Sequence, residues 1–311
     1  MRTSRFNLQA SAPFRLDLTA WVLRRREANR IDSWDGETYR RAMVLDSQTV
    51  LVSVKQKGPS RRPELEVDLA CENPTSRIRS AAESILIRML GLNIDLSGFY
   101  AMANSDARLK PLAEKFSGVK PPVFPTLFES IANAVIFQQI SLDAGISILN
   151  RLAQTCGAAL DCGGKACYLF PDARSLAGLT AEEIKRIGVT ANKARALSEA
   201  AREIVKRNLS FDDFEKMDNE SAFGELVRSR GIGRWSADYV LLRWLGRLDV
   251  FPKGDVGARS RIQRLLRRDG KLQDAELEDI ISKWQSYAGL VYFHLLLAGL
   301  AEKGLIASER G

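Results

Sequence analysis

The stretch Leu226-Val-Arg-Ser-Arg-Gly231-Ile-Gly233-Arg-Trp235-Ser236, followed after a helical segment by Phe251-Pro-Lys-Gly-Asp255, decides how this chain is to be read. Two glycines separated by one residue allow a sharp turn whose N–H groups approach an anion with no Cβ in the way. A helix opening at Ser236 turns its positive dipole end toward the same place. Phe223, Leu226 and Val227 before the turn, and Ala237, Val240, Leu241 and Trp244 after it, recur at helical spacing. The segment predicts two helices joined by a glycine turn, a helix-hairpin-helix, with a nucleic-acid phosphate as the natural guest. Taken alone, Gly-Ile-Gly reads equally well as a tight corner between helices. Asp255 follows Gly233 by 22 residues, room for one helix and a loop that carry the acid back toward the turn.

Composition points the same way. Lys and Arg number 46 against 38 Asp and Glu, a net charge of +8 in 311 residues, which favours polyanionic partners through steering and counterion release. A hydrophobic content of 45% over this length fills two or three cores, so the chain is not a disordered one. The start, Met1-Arg-Thr-Ser-Arg, lacks the apolar run and cleavage site of a secretory signal, which predicts an intracellular, cytoplasmic protein, at the nucleoid or in a eukaryotic nucleus. The most apolar run, Ala288 to Ala301, falls short of the roughly 20 residues that cross a bilayer and reads as a buried helix. No membrane partner is expected.

Phe14 to Leu18, Val50 to Val54 and Glu64 to Leu69 alternate apolar and polar residues and predict half-buried antiparallel strands, with turns at Asp46-Ser47 and Gly58-Pro59. From Thr75-Ser76 the pattern turns helical, with a cap followed by Ile78, Ala81, Ala82, Ile85 and Met89 on one face. The fold class is therefore α+β: an amino-terminal antiparallel β-sheet domain with helices over 1–75, then a mainly helical region over 76–311. Gly163-Gly164, Gly178 and Gly270 punctuate the helices.

The stretch from Leu226 to Arg264 resembles the hairpin and Gly/Pro-rich loop ending in aspartate of the helix-hairpin-helix base-excision DNA glycosylases. Pro122-Val-Phe-Pro-Thr-Leu-Phe-Glu129, Ile136-Phe-Gln-Gln139-Ile-Ser141 and Glu183-Ile-Lys-Arg-Ile-Gly188, with Lys193-Ala-Arg beyond, resemble the 3-methyladenine DNA glycosylase II branch in the same order. The likeness covers roughly residues 76–300. It implies a two-lobed region, 119–243 forming a middle lobe with the hairpin and 76–118 packing with 244–311. It also implies a monomer acting on double-stranded DNA that contains damaged bases.

The chemistry assigns roles. Departure of a base builds positive charge on the sugar, and a fixed carboxylate stabilises that transition state and orients a water; Asp255 is the candidate, with loop-turning as its alternative. Where relatives that also nick the strand carry an attacking lysine, this chain has Trp235, and an indole supplies no amine. The resemblance therefore implies a monofunctional enzyme that leaves an abasic site. An alkylated purine is cationic and stacks on an electron-rich face, so Trp235, Tyr239 and Trp284 are the candidate base pocket, each with core packing as its alternative. Gly231, Gly233, Arg234 and Ser236 are the candidate DNA contacts of the hairpin. Gln139 stands where the family places the wedge that fills the gap left by the extruded base, with contact to the unpaired opposite base or a plain helical surface as its alternatives. Arg261, Arg264 and Arg268 share a helical face that meets phosphates or simply water. Arg230 stands where the family often has proline.

Four cysteines, Cys71, Cys156, Cys162 and Cys167, match no metal-ligand spacing and none follows Cys167, so neither an iron–sulfur cluster nor another metal or cofactor is expected. The single histidine, His294, lies in an apolar helix and reads as a core residue, which argues against a hydrolase of the Ser-His or Cys-His triad class. Two alternatives remain at this level: a glycosylase for oxidised purines or uracil-type damage, and a non-catalytic sensor of distorted DNA.

Overall fold

The computed structural model describes residues 1–306; the last five residues of the expected helical region lie outside the described ones. Five strands, β1 (Arg2–Gln9), β2 (Asp32–Trp34), β3 (Thr38–Leu45), β4 (Gln48–Gln56) and β5 (Glu64–Cys71), form one antiparallel sheet in the order β1-β5-β4-β3-β2. Asp46 and Ser47, both with positive φ, close the tight β3–β4 hairpin that pairs Leu45 with Gln48. The inward residues Val50, Val52, Val54, Leu65, Val67 and Leu69 are fully buried, as their alternation requires.

Phe14 to Leu18 is not a strand. Helix α1 runs Leu16–Arg24 and buries seven of its nine residues. An alternation over five residues cannot be told from the opening of a helix that is apolar nearly all round, and here the helix wins because both the sheet and the helical region pack on it.

Helix α2 (Ser76–Met89) starts where expected, its first turn capped by the Thr75 hydroxyl accepting from the Ile78 N–H. Its buried residues Ile78, Ala82, Leu86 and Met89 pack on the sheet, so 76–118 does not join the carboxy-terminal helices as one block. Helices α3 (Ser97–Ser105) and α4 (Leu109–Lys115) do join them, sharing a core with α13 (Val256–Leu265), α14 (Asp274–Ser282) and α15 (Ala288–Ala301). Residues 124–244 build a third core from α5 (Leu127–Phe137), α6 (Leu142–Cys156), α7 (Ala173–Ala177), α8 (Ala181–Lys185), α9 (Ala191–Arg207), α10 (Phe211–Glu215), α11 (Asn219–Val227) and α12 (Arg234–Arg243). A small hairpin of β6 (Ala159–Asp161) and β7 (Ala166–Tyr168), turning through Gly163-Gly164, interrupts this lobe and is tied by a Cys162–Cys167 disulfide; Cys71 and Cys156 are free thiols.

Guanidiniums join the layers. Arg41, buried on β3, bridges Asp32 of β2 and Glu129 of α5. His294 is 1% exposed within α15; its Nδ1–H donates to the Leu290 carbonyl, and burial pushes its pKa down to about 4, so it stays a neutral core residue. Among the described residues, no helix is long and apolar enough to cross a membrane.

Candidate active site

The hairpin forms between α11 and α12. Gly231 adopts φ +78°, and a Cβ there would lie 2.7 Å from that of Ala196 on α9, so only glycine lets the turn sit on that helix. Helix α12 opens at Arg234, two residues earlier than the reading from Ser236, with Gly233 as its cap. Nothing lies within 4 Å of where a Gly233 Cβ would be, so the first N–H groups of α12 face an open approach. Ser236 is 2% exposed, and its hydroxyl accepts from the Gln138 side chain, which also donates to the Gly231 carbonyl; it braces the turn rather than presenting its hydroxyl to DNA. Arg234 is exposed, 4.8 Å over the Phe223 ring, and pairs loosely with Asp238 at 3.6 Å. Arg230 pairs with Glu199 on α9.

The Pro-Lys-Gly loop brings Asp255 back to this turn. Gly254 packs directly on Trp235: a Cβ there would lie 3.1 Å from the tryptophan Cβ. Asp255 caps α13, with Oδ1 accepting from the Ala258 N–H and Oδ2 from the Tyr292 hydroxyl, both at 2.8 Å. Burial, reinforced by the Asp255 carboxylate, raises the Tyr292 pKa well above the usual tyrosine value, so Tyr292 remains a donor. The half-buried carboxylate is thus fixed from two sides.

Between these elements lies a cleft of about 1030 Å³, and Asp255 is the one carboxylate among its described lining residues. Trp235 and Tyr239 form one wall, with ring centroids 5.4 Å apart. Trp284 does not reach it: it is 3% exposed, packs on Phe251 and belongs to the carboxy-terminal core. Trp244 is likewise a core residue, edge-on to Phe211 and Phe214. Gln139 lies in the loop after α5, not on a helix; it is exposed at the cleft with φ +55°, a conformation that a glutamine adopts only when its surroundings impose it. Lys193 imposes it in part, its ammonium donating to the Ile136 and Gln138 carbonyls. Of the three arginines on α13 and beyond, Arg261 lines the cleft, whereas Arg264 pairs with Glu302 and Arg268 with Glu276.

Sequence reasoning missed four residues here. Tyr292 lies 37 positions from Asp255, and Gln138 took no role beside Gln139. Arg25 and Arg243 line the cleft from α1 and α12, buried to 5% and 1% exposure. Gln138 lies in a stretch already singled out for Gln139, whereas Tyr292, Arg25 and Arg243 carry no local pattern that marks them, since each acquires its partners only through the fold.

A glycine hairpin beside a two-lobed cleft that holds one anchored carboxylate and an aromatic wall defines a class: proteins that hold a nucleic-acid backbone and act on a base taken out of the stack. Comparison with known proteins places the chain within that class. Residues 132–286 match the model of the HhH-GPD superfamily base excision DNA repair protein. The chain is 34% identical over 208 residues to DNA-3-methyladenine glycosylase of Bacillus subtilis, covering 66% of this chain and 69% of that one. To DNA-3-methyladenine glycosylase 2 of Escherichia coli it is 25% identical, covering 57% and 60%. Its fold superposes on 3-methyladenine DNA-glycosylase from Archaeoglobus fulgidus with a TM-score of 0.80 at 25% identity, over 94% of this chain and 97% of that one. The chain belongs to the HhH-GPD superfamily of base-excision DNA repair proteins.

Proposed function

We propose that this chain is a monofunctional DNA glycosylase: it extrudes an alkylated purine of the 3-methyladenine type from duplex DNA and hydrolyses the N-glycosidic bond, leaving an abasic site. The observation that carries the reading is Asp255, fixed by the Ala258 N–H and the Tyr292 hydroxyl at the edge of a cleft walled by Trp235 and Tyr239. A carboxylate so placed opposes the positive charge that develops on the sugar as the base leaves. The hairpin N–H groups and Arg234 hold the phosphate backbone, and Gln139, exposed and left-handed, fills the gap in the duplex. Trp235 supplies no amine. The lysine that lines the cleft, Lys193, commits N–H groups to two backbone carbonyls and shapes the Gln139 loop instead of attacking the sugar. The protein acts on DNA as a monomer and without a metal.

The test is incubation with duplexes that each carry one defined lesion, in the presence of a chelator, followed by identification of the free base. The expected result is release of 3-methyladenine with the strand left intact and no borohydride-trapped complex. Release of no base from any duplex defeats the enzyme reading in favour of a lesion sensor, and efficient trapping defeats the monofunctional one.

A further inference from the structure

Gln138, the residue before the exposed Gln139, ties its loop to the hairpin across 93 positions of sequence. Its side-chain nitrogen donates to the Gly231 carbonyl at 2.8 Å and to the Ser236 hydroxyl at 2.9 Å, so both of its N–H bonds are committed to the hairpin. A carbonyl only accepts, which fixes the amide with its nitrogen toward Gly231. On the backbone side, the Gln138 carbonyl accepts from the Lys193 ammonium at 2.7 Å and the Ile136 carbonyl from the same group at 2.9 Å, a cation closing the carbonyl end of α5. Beyond Gln139 and Ile140, Ser141 caps α6, its hydroxyl accepting from the Ala144 N–H at 3.2 Å. Gln139 thus stands in a two-residue span between fixed points. The hairpin has its own seat: Gly231 rests on Ala196 and Arg230 pairs with Glu199, both on α9, and Ser236 is buried in the opening of α12. Lys193 precedes Ala196 by three residues on that same helix. Losing the Gln138 amide therefore loosens the Gln139 loop more than the hairpin.

Resting on the reading above, in which Gln139 enters the duplex, we infer that Gln138 is a positioning residue that sets the reach from the hairpin's phosphate grip to the inserted side chain. The phosphate held at Gly231 and Gly233 then decides which step of the duplex Gln139 enters. A side chain held in its bound posture before the encounter has little freedom left to lose on insertion, and the left-handed φ of +55° is already imposed in the free protein. With Gln138 unable to donate, the hairpin still grips the backbone, but Gln139 has to be ordered anew at each encounter.

The experiment follows insertion by stopped-flow fluorescence on an abasic-analogue duplex with 2-aminopurine beside the gap, a signal that needs no bond to break. Gln138→Met keeps the length of the side chain and removes both donors. Its affinity for an undamaged duplex should stay within about twofold of the wild type, while insertion slows about three- to tenfold, the range for loss of one or two neutral hydrogen bonds. In single-turnover base release, adding Gln138→Met to Gln139→Gly should cost less than about twofold more, because the one residue acts through the other. Ser236→Ala, which removes one acceptor and should slow insertion about two- to threefold, decides the matter if circular dichroism shows Gln138→Met misfolded. Insertion at the wild-type rate in a folded variant overturns the inference, and so does a wild type that gives no insertion signal. Losses that multiply in the double variant overturn it too, as does a fall in affinity for undamaged duplex equal to the fall in insertion rate, which would make Gln138 a support of the hairpin alone. A wild type that inserts but releases no base defeats the glycosylase reading and leaves this inference to the insertion rates.

Discussion

Asp255→Asn separates chemistry from every other role of the site. Asparagine caps a helix as well as aspartate, so the bond from the Ala258 N–H to Oδ1 is kept. On the other side Nδ2 replaces Oδ2, and the Tyr292 oxygen accepts from the amide where its hydroxyl donated to the carboxylate. The fold therefore loses little, while the negative charge disappears. Against a sugar cation about 4 Å away, one charge contributes ~4 kcal/mol at an effective dielectric of ~20 and ~1 kcal/mol in bulk water. The cleft is half-enclosed and the carboxylate half-buried, which places the loss toward the upper part of that span, roughly 3–4 kcal/mol. At about 1.4 kcal/mol per decade, base release should fall about a hundred- to a thousandfold. The assay is single-turnover release of the base, with binding of an uncleavable abasic-analogue duplex measured in parallel. Dissociation constants should stay within about threefold, because the positive groups at the cleft are untouched and only a repulsive charge has gone. A folded variant that releases the base within about fivefold of the wild-type rate would refute the role of Asp255. A loss of binding as large as the loss of rate would show that the carboxylate had been organising the DNA surface instead.

Three further outcomes follow from the same geometry. Tyr292→Phe removes the donor at 2.8 Å from Asp255 Oδ2; because water reaches the half-exposed carboxylate and restores part of the bond, kcat should fall only about three- to tenfold with KM unchanged, as steady-state kinetics would show. Gln139→Gly relieves a left-handed residue, so the melting temperature should not drop, while single-turnover base release falls about tenfold; a lower melting temperature would mean that the side chain had been structural. Burial raises the Asp238 pKa from 3.8 to about 6, so the folded protein holds the extra proton between those values. The contribution of Asp238 to stability is then full below pH 3.8, declines as pH rises toward 6 and stays at the lower level above it. Asp238→Asn should abolish that decline, gaining at most ~3 kcal/mol at neutral pH and nothing at pH near 4, which thermal melts across the range would show.

The hairpin was legible because its signals are local: Gly231 and Gly233 set the turn, and the apolar spacing on either side sets two helices. The return of Asp255 was legible for a related reason, since one helix and a proline-glycine loop leave the chain few ways back. Trp284 was misassigned because an aromatic residue near a site looks the same in sequence whether it lines a cleft or fills the core beside it, and only the packing on Phe251 decides. Phe14 to Leu18 failed for want of length, five residues being too few to separate a period of two from a wholly buried helix. Tyr292, Arg25 and Arg243 were out of reach in principle. Arg25 meets Tyr239 across 214 residues of sequence, and no periodicity carries information over that span.

That distance bears on what the amino-terminal domain is for. Helix α1 ends in three successive arginines, Arg24, Arg25 and Arg26, and the last two, just past the helix, cross to the middle lobe: Arg25 to Asn133 on α5 and Tyr239 on α12, Arg26 to Asp143 on α6. Arg41 adds the bridge from the sheet to Glu129, whose carboxylate is 4% exposed. Without the first 75 residues, Glu129 would be left as a buried charge with its strongest partner gone, a loss of the kind that costs about 3–5 kcal/mol, and the cleft would lose Arg25 from its lining. The helical region alone contains the hairpin, the acid and the aromatic wall, but not the whole lining of the cleft. The sheet domain therefore helps to line the cleft, through the arginine that closes α1.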